Sequence, residues 1–306
     1  MAKNGIGSLR GADGENSRER LVGRVQVICA ALLMGTAGIC VSSVCWSPMS
    51  QIASRNVIAL ILLMLFMRGP RIRITRTRAL GAVMMSATGM LYISAIKLTG
   101  AGTAIVLQYI APILVFLYSV IFDKRKAQAP EVAITAIVFG GIVLCFADKM
   151  DMRHLLGNIL GILSGFTFAG QILVMNHEKT PDGNRSTLIL SCVLSMIVSL
   201  PFMITDRMLV WDFKNIFWIC ILGVFEYALA NILLSKGIRR VDAVEGSLMM
   251  VLEPVVNPIL VAVFLGERMG PAAIAGAVIV IAGVTVYSLL DRLSGKRTGE
   301  AERSRI

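Results

Sequence analysis

Apolar residues in this chain gather into near-continuous runs, at 25–45, 79–96, 103–122, 132–147 and 272–290. A helix crosses the hydrocarbon core in roughly 20 residues, so each run is long enough to span once interfacial ends are allowed for. One soluble core could not hide five such stretches. Weaker runs between them complete a pattern of ten spans, at about 25–45, 50–68, 79–97, 101–122, 131–147, 157–176, 187–205, 215–236, 243–264 and 271–290. The pattern predicts an all-α polytopic membrane protein. Composition agrees: 56% of residues are hydrophobic and 16% charged, against roughly 45–50% and about 25% in soluble domains.

The net charge of +11 would point to nucleic acid in a soluble protein, but its placement gives it another meaning. With both termini inside, the inner loops and tails hold 23 Lys/Arg and the outer loops six, and Arg55 falls within the second span. That bias over short loops follows the positive-inside rule. An odd number of spans would strand one basic tail outside, so ten spans with N-in and C-in ends is the consistent reading. Residues 1–24 are polar and Gly-rich, without an apolar core or cleavage site, and are expected to form a disordered basic cytoplasmic tail. Residues 291–306 form a second basic tail. The six cysteines all lie in apolar segments without CxxC or CxxH spacing, and His154 and His177 stand alone. Neither a metal site nor a cofactor is expected.

The chain repeats itself. Sliding residues 95–145 forward by 142 positions lays Lys97 on Arg239, Pro112 on Pro254 and Gly141 on Gly283. The first spans of the two copies overlay at an offset of 134, with Gly23 on Gly157. Residues 25–147 and 157–290 thus form two five-helix repeats. Five is odd, so the second copy runs through the membrane in the opposite sense, which makes two inverted repeats.

With those residues in view, the chain resembles the EamA-type branch of the drug/metabolite transporter superfamily over residues 22–290. The resemblance is densest at 227–283, with "LEPVVNPIL" and "LGE". "SRNVIALILL" at 54–63 and "GTAIVLQYIAPILV" at 102–115 are its first-half counterparts. It implies ten helices around a central cavity and export or uptake of small metabolites, amino acid-like or drug-like.

Ionisable groups at membrane depth cost about 2.5–3.5 kcal/mol each on insertion scales and usually face a cavity or a partner. Glu226 and Glu253 fall mid-span in the eighth and ninth helices. Each is a candidate proton-coupling group or partner of a substrate amine, the alternative being a helix–helix hydrogen bond. Arg55, near the outer end of span two, reads as a structural charge that snorkels or pairs with a neighbouring carboxylate. Pro112, Pro254 and Pro258 remove backbone donors and free the carbonyls of Gln108, Met250 and Pro254, marking kinks for gating. Tyr92, Gln108, Tyr109, Gln171, Tyr227, Asn231 and Asn257 lie near the same depth. With the two glutamates they form the candidate substrate site, against a plainer role as interhelical glue. The Gly/Ala/Ser runs at 35–38, 86–89, 161–165 and 272–276 read as close-packing surfaces.

The expected function is a secondary transporter, an exporter working by alternating access in the inner membrane of a prokaryote. Its partners are a small-molecule substrate, the lipid bilayer and protons as coupling ion, with no nucleic acid. The protein would be a monomer or homodimer. A non-transporting receptor or scaffold and an intramembrane lipid-modifying enzyme are the alternatives. No P-loop, HExxH or paired-aspartate motif accompanies the glutamates.

Overall fold

The computed structural model describes residues 3–66, 72–124, 129–145, 147, 154–178, 180–265 and 270–303. Several topology charges (Arg68, Arg71, Arg125, Lys126, Lys149, Arg153, Lys179 and Arg268) lie outside these residues, as do Gly266 and Glu267 of the "LGE" stretch. The Pro258 side chain is likewise not described.

Among the described residues the chain is helical throughout, without strands. Its elements are α1 Lys3–Met34, α2 Ala37–Ser43, α3 Pro48–Phe66, α4 Arg76–Thr99, α5 Ala101–Gln108, α6 Ala111–Ile121 and α7 Ala129–Cys145. The second half comprises α8 Leu155–His177, α9 Pro181–Ile204, α10 Phe213–Ile221, a π-helical segment Leu222–Leu229, α11 Ala230–Gly237, α12 Ala243–Met250, α13 Leu252–Leu265 and α14 Pro271–Arg303. Seven helices, counted with their continuations, are long and apolar enough to cross a membrane, and two shorter apolar ones run over Ala129–Cys145 and Pro271–Tyr287.

The backbone is helical from Lys3 onward. No proline occurs before Pro48, and Glu and Arg propagate a helix well, so α1 extends outward from its apolar part. For the same reason α14 continues to Arg303, past the expected end of the last span.

Local chemistry sets the turns. Thr75, Asp212 and Asp242 cap their helices by accepting from the backbone N–H groups of Arg78, Asn215 and Val244, which satisfies donors the first turn leaves open. Gly100 alone joins α4 to α5, at φ 87°, a conformation that a Cβ would penalise.

Proline places two breaks at matching positions. The helical path is interrupted at Tyr109–Ile110, just before Pro112, and at Val251, just before Pro254. Tyr109 and Val251 are related by the same 142-residue offset.

Packing carries the duplication further. α4 lies along α8, and α11 lies along α1; α5 and α6 flank α8, as α12 and α13 flank α1. α4 also meets α9, as the π segment meets α3. The pairs α3–α9 and α7–α14 map onto themselves when the halves are exchanged. Close approach at glycines makes this possible. An added Cβ on Gly276 would stand 2.5 Å from the Gly141 carbonyl of α7, and one on Gly237 would stand 2.7 Å from the Gly23 carbonyl of α1. Without hydrophobic drive between helices in lipid, such backbone contact is a main source of association.

Candidate functional site

Where the halves meet, side chains from both enclose a polar cavity. Its wall comprises Met34, Arg55, Met85, Thr88, Gly89, Tyr92, Gln108, Phe168, Gln171, Glu226, Tyr227, Asn231 and Glu253. The space open to water centres is about 50 Å³. A water needs roughly 10–15 Å³ on that measure, so a few waters fit and a drug-sized solute does not.

Arg55 lies at the centre of the electrostatics. Only 3% exposed, it donates from Nη1 to Glu226 Oε2 at 3.2 Å. Its guanidinium carbon stands 4.6 Å from the centroid of the Tyr227 ring, a cation–π arrangement. The π segment carries Glu226 and Tyr227, and its altered register brings these neighbours to the same guanidinium. Such segments recur at functional sites. Gly89 leaves the room: a Cβ there would collide with Arg55 Nη2. Arg55 therefore points inward and pairs across the halves, and does not reach for the surface.

The remaining polar wall is held by directed bonds. Ser191 donates to the Leu188 carbonyl at 2.8 Å, which leaves its oxygen to accept from the Tyr227 hydroxyl at 3.1 Å. Asn231 donates to the Tyr227 carbonyl at 2.8 Å, and Gln171 donates to Asn231 Oδ1 at 3.4 Å. The Tyr109 hydroxyl lies 2.6 Å from the Met250 carbonyl and 2.7 Å from Glu253 Oε2. Pro254 is the reason that carbonyl needs an outside donor. Three buried atoms on the wall have no partner: Arg55 Nε, Tyr92 Oη and Gln108 Oε1.

Seven of the nine residues read from the sequence as the substrate site thus line one cavity: Tyr92, Gln108, Gln171, Glu226, Tyr227, Asn231 and Glu253. Tyr109, fully buried, stands behind Glu253. Asn257 is placed differently. Although one turn from Glu253, it packs on Gly38 of α2, away from the wall. Sequence reasoning missed Met34, Met85, Thr88, Gly89 and Phe168, because an apolar or small residue in a span carries no contrast with its surroundings. No cluster of His, Cys, Asp or Glu suited to a metal occurs among the described residues.

Polar staples join the halves at the start of α3 and at the start of α4. At the first, Asp206 accepts from the Ser47 N–H (3.1 Å), the Ser50 hydroxyl and the Met208 N–H. Partial desolvation opposes the charge there, but these donors outweigh it and hold the carboxyl down at about 2. Its stabilising effect is therefore full above the ordinary aspartate range and is lost as pH falls toward 2. At the second, Arg78 Nε donates to Glu178 Oε2 at 3.0 Å and its Nη2 to Thr180 Oγ1 at 3.3 Å. Desolvation again works against the carboxylate, and bonds from Thr180 and Arg78 bring Glu178 below its usual range. Exchanging the halves turns one staple's pair of loops into the other's.

Long apolar helices in two matched halves around a buried polar cavity define a multi-pass membrane transporter. The chain belongs to the EamA-like transporter family, which matches it twice, over residues 21–147 and 155–289. It is 26% identical over 234 residues to the uncharacterized transporter YwfM of Bacillus subtilis (strain 168), covering 72% of this chain and 75% of that one. It is 24% identical over 265 residues to an uncharacterized transporter of Archaeoglobus fulgidus, covering 86% of this chain and 95% of the relative. A solved crystal structure, 18% identical, superposes with a TM-score of 0.74 over 90% of this chain and 98% of its own. That likeness speaks for the fold.

Proposed function

We propose that the protein is a secondary transporter that exports a small amphipathic metabolite, amino acid-like or drug-like, through the cavity around Arg55 by alternating access. The carrying observation is the set of orphaned polar atoms. Arg55 Nε, Tyr92 Oη and Gln108 Oε1 are buried on one wall without partners, and buried polar groups are normally satisfied. A solute supplying an acceptor to the two donors and a donor to the amide oxygen would satisfy all three. The wall also offers the Arg55 cation and the Glu226 carboxylate, paired with each other. A zwitterion could take both, its carboxylate on Arg55 and its ammonium on Glu226. Tyr92, Phe168 and Tyr227 provide rings for its apolar part.

In this reading ten spans, N-in and C-in, form two inverted halves that rock against each other, with the breaks before Pro112 and Pro254 as pivots. The staples at Asp206 and Arg78–Glu178 are the gates, and with both closed the cavity is contracted. Protons are the coupling ion. The inner membrane of a prokaryote is the setting, in keeping with the bacterial and archaeal sources of the relatives.

The test is a thermal-stabilisation screen of purified protein against amino acids, nucleosides and drug-like cations. At least one class should raise the melting temperature, and Tyr227→Ala or Gln108→Ala should cancel the rise. Stabilisation that survives both changes would place the solute elsewhere.

A further inference from the structure

Tyr109 occupies the break between α5 and α6, and Met250 ends α12 at the equivalent break of the second half. One hydroxyl therefore ties the two breaks together, within 2.6 Å of the Met250 carbonyl and 2.7 Å of Glu253 Oε2. Both distances are those of O–H···O bonds. The carbonyl only accepts, and Pro254 has removed its helical donor. A tyrosine brings a single hydrogen, which cannot make two full bonds at distances this short. If Glu253 were ionised, one of the contacts would set two lone-pair-bearing oxygens against each other with no hydrogen between them. Two such contacts among three oxygens need two hydrogens, and the second has to come from the carboxyl.

We infer that Glu253 is a proton-binding site, occupied in this conformation, and that Tyr109 relays its state to the break in the ninth span. The inference rests on the transport reading above and selects Glu253 over Glu226 as the proton carrier. Glu226 accepts from Arg55 at 3.2 Å and is matched to its charged form. Across the cavity the titratable groups facing Glu253 are Tyr92 and the Glu226–Arg55 pair. Cys40 of α2 interacts electrostatically with Glu226. The negative charge of Glu226 disfavours a second carboxylate in the same cavity, and Arg55, the cation on its wall, is already paired with Glu226.

With Glu253 protonated, its O–H donates to Tyr109 Oη, and the tyrosine O–H donates to the Met250 carbonyl. On release, the proton passes to a cavity water and the electron pair stays on the carboxylate. The tyrosine hydrogen then turns to the carboxylate, because a bond to an ionised acceptor is the stronger. That turn leaves the Met250 carbonyl without a donor at the point where proline has already broken the helix. Water must reach it or the break must change shape, so proton release and a change of access become one event.

Difference infrared spectroscopy of the purified protein at neutral pH tests this directly. A protonated-carboxyl absorption should be present, lost in Glu253→Gln and retained in Glu226→Gln. In Tyr109→Phe, which keeps the carboxyl, the band should shift to the frequency of a weaker hydrogen bond. A band unaffected by Glu253→Gln, or no band, overturns the site, and an unshifted band in Tyr109→Phe overturns the relay. Should Glu253→Gln fail to fold, Tyr109→Phe decides alone. Failure of the transport reading looks different: the solute screen returns no hit while the band behaves as described.

Discussion

Replacing Arg55 with alanine should lower stability by about 3–5 kcal/mol, because it leaves Glu226 buried and charged without its partner. Arg55 is 3% exposed and Glu226 8%, so water can do little to repair the loss. Removing both charges tests the cause. Arg55→Met combined with Glu226→Met should recover most of the deficit, since apolar groups in place of a buried pair are often neutral or better. Unfolding of wild type, Arg55→Met, Glu226→Met and the double variant in mixed micelles gives the coupling. Single changes within about 0.5 kcal/mol of wild type, the range of ordinary surface substitutions, would mean the pair is solvated and not the centre of the site. Flux should be lost in the double variant even where stability returns, because the proposed site then offers the solute neither charge.

The second large effect concerns the gates. In a background lacking the six native cysteines, Ser50→Cys with Asp206→Cys should be joined by a short bifunctional thiol reagent, since the Ser50 hydroxyl and the Asp206 carboxylate are in hydrogen-bond contact. The joined protein should carry no flux, and cleaving the linker should restore it. Arg78→Cys with Glu178→Cys should behave identically at the start of α4. These pairs belong to loops that exchange when the halves are exchanged, so both are needed and neither is redundant. Undiminished flux with either pair joined would show that the gate concerned does not open in the cycle.

The parts of this picture legible in the sequence share one property: they contrast with an apolar background. The carboxyls of Glu226 and Glu253 and prolines at a 142-residue offset stand out because lipid makes them expensive. Face and register were harder to read. Depth alone reads Arg55 as a charge that either snorkels or pairs with a neighbouring carboxylate, and does not say which. Its true direction depends on a π segment around Glu226 and on the space left by Gly89. Neither is visible in a pattern of hydropathy. Asn257 shares depth and helix with Glu253, but the cavity ends before it and Gly38 of α2 meets it instead. Tyr109 was chosen for depth alone. Its part as donor to the carbonyl that Pro254 frees required the two breaks to be seen against each other.

The most direct test of a cavity that opens by turns to each side is thiol labelling at Thr88, on its wall. In the cysteine-free background, Thr88→Cys in sealed vesicles should react with a membrane-impermeant reagent supplied from either face, and a solute found by the screen should protect it from both. Labelling from one face only, unchanged by solute, would contradict the transport mechanism.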